Sequence, residues 1–423
     1  MLSLLSQLSS LRSQLPFDLA LLPADACLVG GAVRDALLGR KREYLDWDFV
    51  LPRAAIETAK AIAERYKVGF VVLDKARQIA RVVFPQATVD FALQEGNSLE
   101  ADLQRRDFTI NAIAYNLLEE KLIDPLNGSA DLQKGVLKMV AAENLADDPL
   151  RLLRAYRQAA QLYFQIDPAT RETIRQLAPL LGQVAAERVQ SELSYLLANP
   201  QGNGWLLAAW QDGLLTPWFK QATLDKIEQS SRVDQAIATL KATLTPEELS
   251  RFLQALDKKG VQTAKLACLV SPLLEIAELE LDNLKYSRQE TRAVIAILKS
   301  LSLLSQEELR VNLRSQYFLF LEVGKYFPIL MLFALANQFD LGTIHFLLAR
   351  YLDPADPVAH PQPLITGNDL IQKLSLKPSP LIGRLLTEVQ IAQIEGKVKT
   401  VEDAIAYADN WVKSQQLIEV YTQ

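Results

Sequence analysis

A chain of 423 residues, 49% hydrophobic and 22% charged with a net charge of −5, has the composition of a soluble globular protein of two to four domains. Its N-terminus lacks the basic and apolar regions of a signal peptide, no apolar run reaches the roughly 18 residues of a membrane span, and two cysteines (Cys27, Cys268) point to a reducing cytoplasm rather than a disulfide framework. With only His345 and His360, clusters of His and Asp and zinc sites of His and Cys are excluded, a Ser-His-Asp hydrolase is disfavoured, and any metal should be magnesium or manganese held by carboxylates.

Residues 27–140 carry the clearly mixed α/β pattern. "CLVG" reads as a short buried strand, and Gly30-Gly31 opens a helix with apolar Val33, Leu37 and Leu38. "LDWDFVL" predicts a second strand, "RAAIETAKAIAERY" a helix, and "GFVVLD", "IARVVFP" and "TVDFAL" further strands rich in Val and Phe. "RRDFTINAIAYNLLEEKLIDPLNGSADLQKG" predicts a helix, a hairpin-like turn and a connection. From about 145 onward the patterns are almost all helical, and the proline-rich "PADPVAHPQP" at 354–363 is a linker before a compact helical tail. The fold class is therefore α+β, a small sheet-containing head on a long helical body.

Side chains alternate faces along a strand, so Asp46 and Asp48 share one face and Trp47 takes the other. Strands disfavour Asp, and an unpaired buried charge is costly, so something positive is expected at this pair. Two carboxylates on one face can share hard cations in two-metal chemistry at phosphorus, and Asp90 of "TVDFAL" offers a third acid on a neighbouring strand. The Gly30-Gly31 turn and the following helix N-terminus can hold phosphate oxygens through backbone N–H groups. Alone, each pattern also fits a plain strand end or a tight turn. In series they carry weight.

"GGAVRDALLGR…DWDFV", "RRDFTINAIAYN" at 105–116, "DDPLRLLRAYR" at 147–157 and "ERVQSEL" at 187–193 resemble the class II CCA-adding enzymes and bacterial poly(A) polymerases, nucleotidyltransferases of the polymerase β superfamily. The tail from "GNDLI" to "QIEGK" resembles the family's C-terminal segment, with Ser379 in place of an expected glycine. The resemblance implies a palm-like head over 1–140, a helical neck over 141–200, a body over 201–353 and a tRNA-binding tail over 364–423. It implies that Asp46 and Asp48 bind a pair of magnesium ions, with Asp90 beside them. Gly30, Gly31 and Arg34 would contact the triphosphate, and Arg106 and Asp107 would serve the ribose. The chain departs from the family in a longer spacing between Arg34 and Asp46, and in Asp147 where Glu is usual.

Asp147, Asp148 and Pro149 also look like a helix start, with acids at its positive end. Asp148 and Arg151, three apart, share a helix face, so a carboxylate acceptor and a guanidinium donor can point at one base edge. Cytosine and adenine pair an exocyclic amine with a ring acceptor and satisfy both. Guanine and uracil put a carbonyl against the carboxylate and are refused. Arg154 and Arg157 continue that face toward phosphates or the RNA 3′ end, or form a solvated basic stripe.

The expected activity is template-independent addition of CMP to the 3′ end of tRNA, using CTP (and ATP). After "TVDFAL" the chain runs from Asp90 to Arg105 with only "QEGNS" as turn-like residues, where relatives that add the terminal A carry a flexible loop. That favours CC addition, with a separate A-adding enzyme completing the end. The alternatives are full CCA addition, A addition, a poly(A) polymerase, or a non-catalytic RNA-binding protein of the same fold. A poly(A) polymerase ranks lower because no basic tail is present.

Overall fold

The computed structural model describes residues 2–40, 44–305 and 307–421, and its contacts divide the chain into two compact units, Met1–Pro217 and Trp218–Gln423. The first unit opens with helix α1 (Leu2–Gln14), then β1 (Cys27–Val29), α2 (Gly31–Leu37), β2 (Leu45–Leu51), α3 (Ala55–Tyr66), β3 (Gly69–Asp74), β4 (Ile79–Phe84) and β5 (Ala87–Leu93). It continues with α4 (Leu99–Gln104), β6 (Ala114–Asn116), β7 (Lys121–Ile123), α5 (Gly128–Lys134), β8 (Val136–Leu137), α6 (Ala142–Asp147), α7 (Leu150–Leu162), β9 (Gln165–Ile166), α8 (Pro168–Leu177), α9 (Ala186–Ala198) and α10 (Gly202–Gln211).

Strands β1 to β7 form one mixed sheet in the order β3-β4-β5-β2-β1-β6-β7. β2 and β5 run parallel with Asp48 opposite Asp90, while β1 runs antiparallel to β2 with Val29 opposite Asp48. The alternation read from "LDWDFVL" holds. Trp47 and Phe49 are buried on one face, where Phe49 stacks on Phe91 with ring centroids 5.5 Å apart, and Asp46 and Asp48 reach solvent on the other. An aromatic floor of this kind contributes about 0.5–1.5 kcal/mol per ring pair beyond its buried area. It holds one face of β2 against the core, so the alternating carboxylates face away from it. Further along the acidic face, Val50 packs with Cys27, Val29 and Leu103 of α4.

The helix expected within "RRDFTINAIAYNLLEEKL" is instead a short 3-10 turn at Thr109–Asn111 followed by the antiparallel β6–β7 hairpin, with Tyr115 opposite Leu122. Every residue from Phe108 to Leu117 is buried and all but Thr109, Asn111 and Asn116 are apolar, and a short run buried on all sides does not distinguish helix from strand. "SLEADLQ", in contrast, forms the two-turn helix α4, whose N-cap Ser98 accepts from the Ala101 N–H at 3.2 Å. A two-residue parallel ladder between β8 and β9 also has no sequence signal.

The second unit is helical from Leu224–Thr243 to Val401–Tyr421, and 354–363 holds turns with neither helix nor strand. Its stretch Leu313–Ala336 holds an 18-residue window with a mean hydropathy of 1.8, apolar enough by length and composition alone to cross a membrane. It is two helices separated by a turn at Gly324, and Phe327, Leu330, Met331 and Leu332 are buried among neighbouring helices, so its apolarity serves the core. The tail closes on its own core of Ile365, Leu370, Leu385, Val389 and Ala404.

Candidate active site

The first unit contains a cleft of about 1410 Å³, and every residue named above as a site candidate lines it except Asp90. Gly30 sits at the end of β1 with φ +69°, a conformation suited to glycine, and a Cβ there would lie 3.2 Å from Arg106 Nη1. The absent side chain lets Arg106 approach both the turn and Asp48. Helix α2 then brings Arg34 back beneath the turn. Arg34 is buried, donating from Nη1 to Asn111 Oδ1 at 2.7 Å and from Nε to Asp35 Oδ1 at 2.9 Å.

Asp46 accepts from the Thr88 hydroxyl at 2.5 Å. Among the described residues neither Asp46 nor Asp48 has a Lys or Arg within ion-pair distance. Asp48 faces the cleft, with protein crowded around its carboxyl. That enclosure first, and then the facing Asp90 carboxylate, push its carboxyl up to about 6, with Arg106 opposing and Asp46 adding to the rise. Asp90 meets Arg81 in a two-pronged pair, 2.7 and 2.8 Å, so both its oxygens already face a guanidinium. Among the described residues no three His, Cys, Asp or Glu converge on one point. Two hard carboxylates of like charge, on one strand face and open to the cleft, suit a divalent cation that draws its other oxygens from water and phosphate.

The opposite wall is α7 and what grips it. Asp147 ends α6 and Asp148 follows it, so the acids join two helices as well as preceding one. Asp148 and Arg151 come within 4.0 Å, as their spacing predicts. Asp148 is also held by both ends of Arg188, at 3.1 and 2.9 Å. Burial alone would raise its carboxyl, yet Arg188, with Arg151 and Arg154, more than offsets this and holds it below the ordinary carboxylate range. Arg151 Nη1 donates to the carbonyls of Arg105 and Asn144, both at 2.9 Å, tying α7 to the "RRD" segment. Arg154 and Arg157 are not a solvated stripe. Both pair with buried Glu192 of α9, and Arg154 also stands 3.7 Å from Asp107.

Sequence reasoning missed Arg188, Glu192, Asn111, Gln158 and Asp102. Arg188 and Glu192 lie in "ERVQSEL" and Asn111 in "RRDFTINA", so the motifs were visible while their partners were not. Asp102 accepts from the Glu95 N–H at 3.0 Å and from Arg106 at 3.3 Å, anchoring the turn between β5 and α4 to the cleft.

Comparison with known proteins places this geometry. The poly A polymerase head domain matches residues 26–138, the RNA- and SrmB-binding site of polymerase A matches 163–225, and tRNA nucleotidyltransferase domain 2 matches 254–408. A protein from Synechocystis sp., a CC-adding tRNA nucleotidyltransferase, is 62% identical over 416 residues, covering 98% of this chain and all of that one. The chain belongs to the tRNA nucleotidyltransferase family. An A-adding tRNA nucleotidyltransferase from Deinococcus radiodurans is 30% identical over 446 residues, 92% of this chain and 96% of that one. A solved CCA-adding enzyme in complex with CTP shares the fold, with a TM-score of 0.69 at 23% identity over 90% of each chain. As a member of the family the protein is a nucleotidyltransferase, and nucleotidyltransferases of this kind use divalent metal ions, which the Asp46 and Asp48 pair fits.

Proposed function

We propose that the protein adds CMP twice to the 3′ end of tRNA, the terminal hydroxyl attacking the α-phosphate of CTP with release of pyrophosphate. The observation that carries this reading is a single cleft with the Asp46 and Asp48 pair on one wall and the Asp148 and Arg151 pair on the other. Asp46 and Asp48 would hold magnesium, which would activate the attacking oxygen and neutralise the leaving phosphates.

The chain's own residues do the rest. The Gly30-Gly31 turn leaves room for phosphate oxygens beside Arg106, and Arg34 adds positive charge beneath it. Asp90, held by Arg81, raises the negative field at Asp48 rather than serving as a free acceptor. Asp107 is fixed by the Phe108 N–H at 2.8 Å and by Asn111, and orders the ribose side with Arg106. Asp148 accepts from the cytosine amine and Arg151 donates to the ring nitrogen. Asp147, Arg154 and Arg157 set the charge around them.

CC addition rather than full CCA addition is supported by the segment after β5. Gln94 to Asn97 form a short turn that leads at once into α4, and Glu95 is fastened to both Asp102 and Arg105, the latter at 3.1 Å. Nothing long enough to act as a lever lies there, and the 62% identical relative is a CC-adding enzyme. The division into head 1–140, neck 141–200, body 201–353 and tail 364–423, the tail binding tRNA, is part of this proposal, as are a cytoplasmic setting and a separate enzyme that supplies the final A. Two free, buried cysteines agree with a reducing compartment. Gel analysis of tRNA ending at its discriminator base, incubated with magnesium, CTP and ATP, tests it. A product two nucleotides longer supports the reading, and one three longer makes the protein a CCA-adding enzyme.

A further inference from the structure

Between the wall that holds phosphates and the wall that reads the base lies Asn111, at the end of the 3-10 turn between α4 and β6. Its side chain makes three hydrogen bonds to three parts of the cleft. Oδ1 accepts from Arg34 Nη1 at 2.7 Å, and Nδ2 donates to Asp107 Oδ1 and to Gln158 Oε1, both at 3.0 Å. All four side chains are buried. The amide can sit only one way round. A guanidinium can only donate and an ionised carboxylate can only accept, so the atom facing Arg34 is oxygen and the atom facing Asp107 is nitrogen. Both N–H bonds are then used, and the amide dipole is locked by charges on either side.

We propose that Asn111 is a positioning residue that couples the phosphate side of the cleft to the base-reading helix, acting through Arg34 on one side and Gln158 of α7 on the other. The inference rests on reading this cleft as the nucleotide site. Gln158 lies one residue beyond Arg157 and seven beyond Arg151, two helical turns along α7. A shift of Arg34 toward a bound triphosphate pulls on Asn111 Oδ1. Because the amide is planar, Nδ2 moves with it and carries Gln158. The base-reading pair therefore reaches its working position when the triphosphate is seated, and discrimination among bases depends on a group that touches none of them.

The test is calorimetric binding of CTP, UTP and inorganic tripolyphosphate, with magnesium, to the full-length protein and its Asn111→Ala, Asn111→Asp and Gln158→Leu variants. The wild-type protein should bind CTP about ten times or more tightly than UTP. Asn111→Ala should bring that ratio close to one and weaken tripolyphosphate severalfold. Asn111→Asp, nearly identical in shape, should be worse than alanine because it sets an acceptor against Asp107. Gln158→Leu should lower the CTP-to-UTP ratio while leaving tripolyphosphate binding intact, which a general loss of structure would not do. It also keeps the test decisive should Asn111→Asp fail to fold. An unchanged ratio in Asn111→Ala and Gln158→Leu overturns the proposal, as does an alanine variant weaker than the aspartate one. CMP addition to tRNA by the wild-type protein, measured alongside, reports on the functional reading separately. A protein that prefers CTP yet adds no CMP would sink that reading and leave the Asn111 coupling standing.

Discussion

The two walls of the cleft handle charge in opposite ways. On β2, Asp46 and Asp48 stand side by side with no cationic side chain at ion-pair distance among the described residues, and Asp48 is driven up to about 6. On the other wall, Asp148 just before α7 and Arg151, Arg154 and Arg157 along it are each engaged by a protein partner: Arg188, the Arg105 and Asn144 carbonyls, and Glu192. The first wall is built with a charge deficit that a divalent cation would relieve. The second is neutralised in advance and held in shape, as the proposed reading of a base without a nucleic-acid strand requires. A site that binds ions tolerates local repulsion, and a site that reads hydrogen bonds needs its donors fixed before the ligand arrives.

The sharpest test of that contrast is Asp48→Ala. It should cut CMP addition by about a thousandfold or more, equivalent to roughly 4 kcal/mol, with stability no lower than wild type because a repulsive charge is gone. Turnover near the wild-type level in magnesium would remove the ion-binding wall from the account. On the other wall, Glu192→Gln should act on stability instead. It strips the counter-charge from Arg154 and Arg157 together, at a cost of about 2–3 kcal/mol, below the range for wholly buried pairs because both arginines keep some water. A urea midpoint unchanged by Glu192→Gln would mean the arginines are held by something else.

The same contrast explains what was readable in the sequence. The carboxylate wall is local. Asp46 and Asp48 alternate with Trp47 and Phe49 over four residues, so period-two reasoning places all of them correctly, and Gly30 announces a backbone turn by its own chemistry. The template wall is not local. Arg188 lies 40 residues from Asp148, and Glu192 lies 38 from Arg154 and 35 from Arg157, and no periodicity links those positions. Strand β6 escaped for a third reason, although the hairpin-like turn after it was expected. Its run from Phe108 to Tyr115 is buried on every side, and only pairing with β1, invisible from sequence, selects strand over helix.

A smaller effect is expected at Arg151. Arg151→Ala should reduce discrimination of CTP against UTP about tenfold, because one of the two hydrogen-bond elements proposed to read the base is lost. Competition assays with paired nucleotides measure it. If use of all nucleotides falls in equal proportion, the work of Arg151 lies in its bonds to the Arg105 and Asn144 carbonyls rather than in reading.

The finest distinction concerns pH, and it separates a prepared carboxylate from a bare one. Asp148 is partly buried, which by itself would favour its neutral form, but Arg188 and its neighbours reverse the balance and depress the carboxyl. A depressed carboxyl stabilises the fold at every pH above its ordinary range, and that contribution fades as the pH falls through the folded-state value. Arg188→Ala removes the largest depressing group and leaves burial unopposed on that side. The variant should therefore be less stable than wild type by about 1 kcal/mol at pH 7, the size expected of a partly exposed pair. The gap should close as the pH falls through the ordinary carboxylate range and then through the depressed wild-type value, below which both proteins carry a neutral Asp148. Urea unfolding of the two proteins at a series of pH values between 7 and 2 follows the gap directly. A gap that stays constant across the series would show that Arg188 stabilises by packing alone, and Asp148 would then belong with the unpaired acids of β2 rather than with the template.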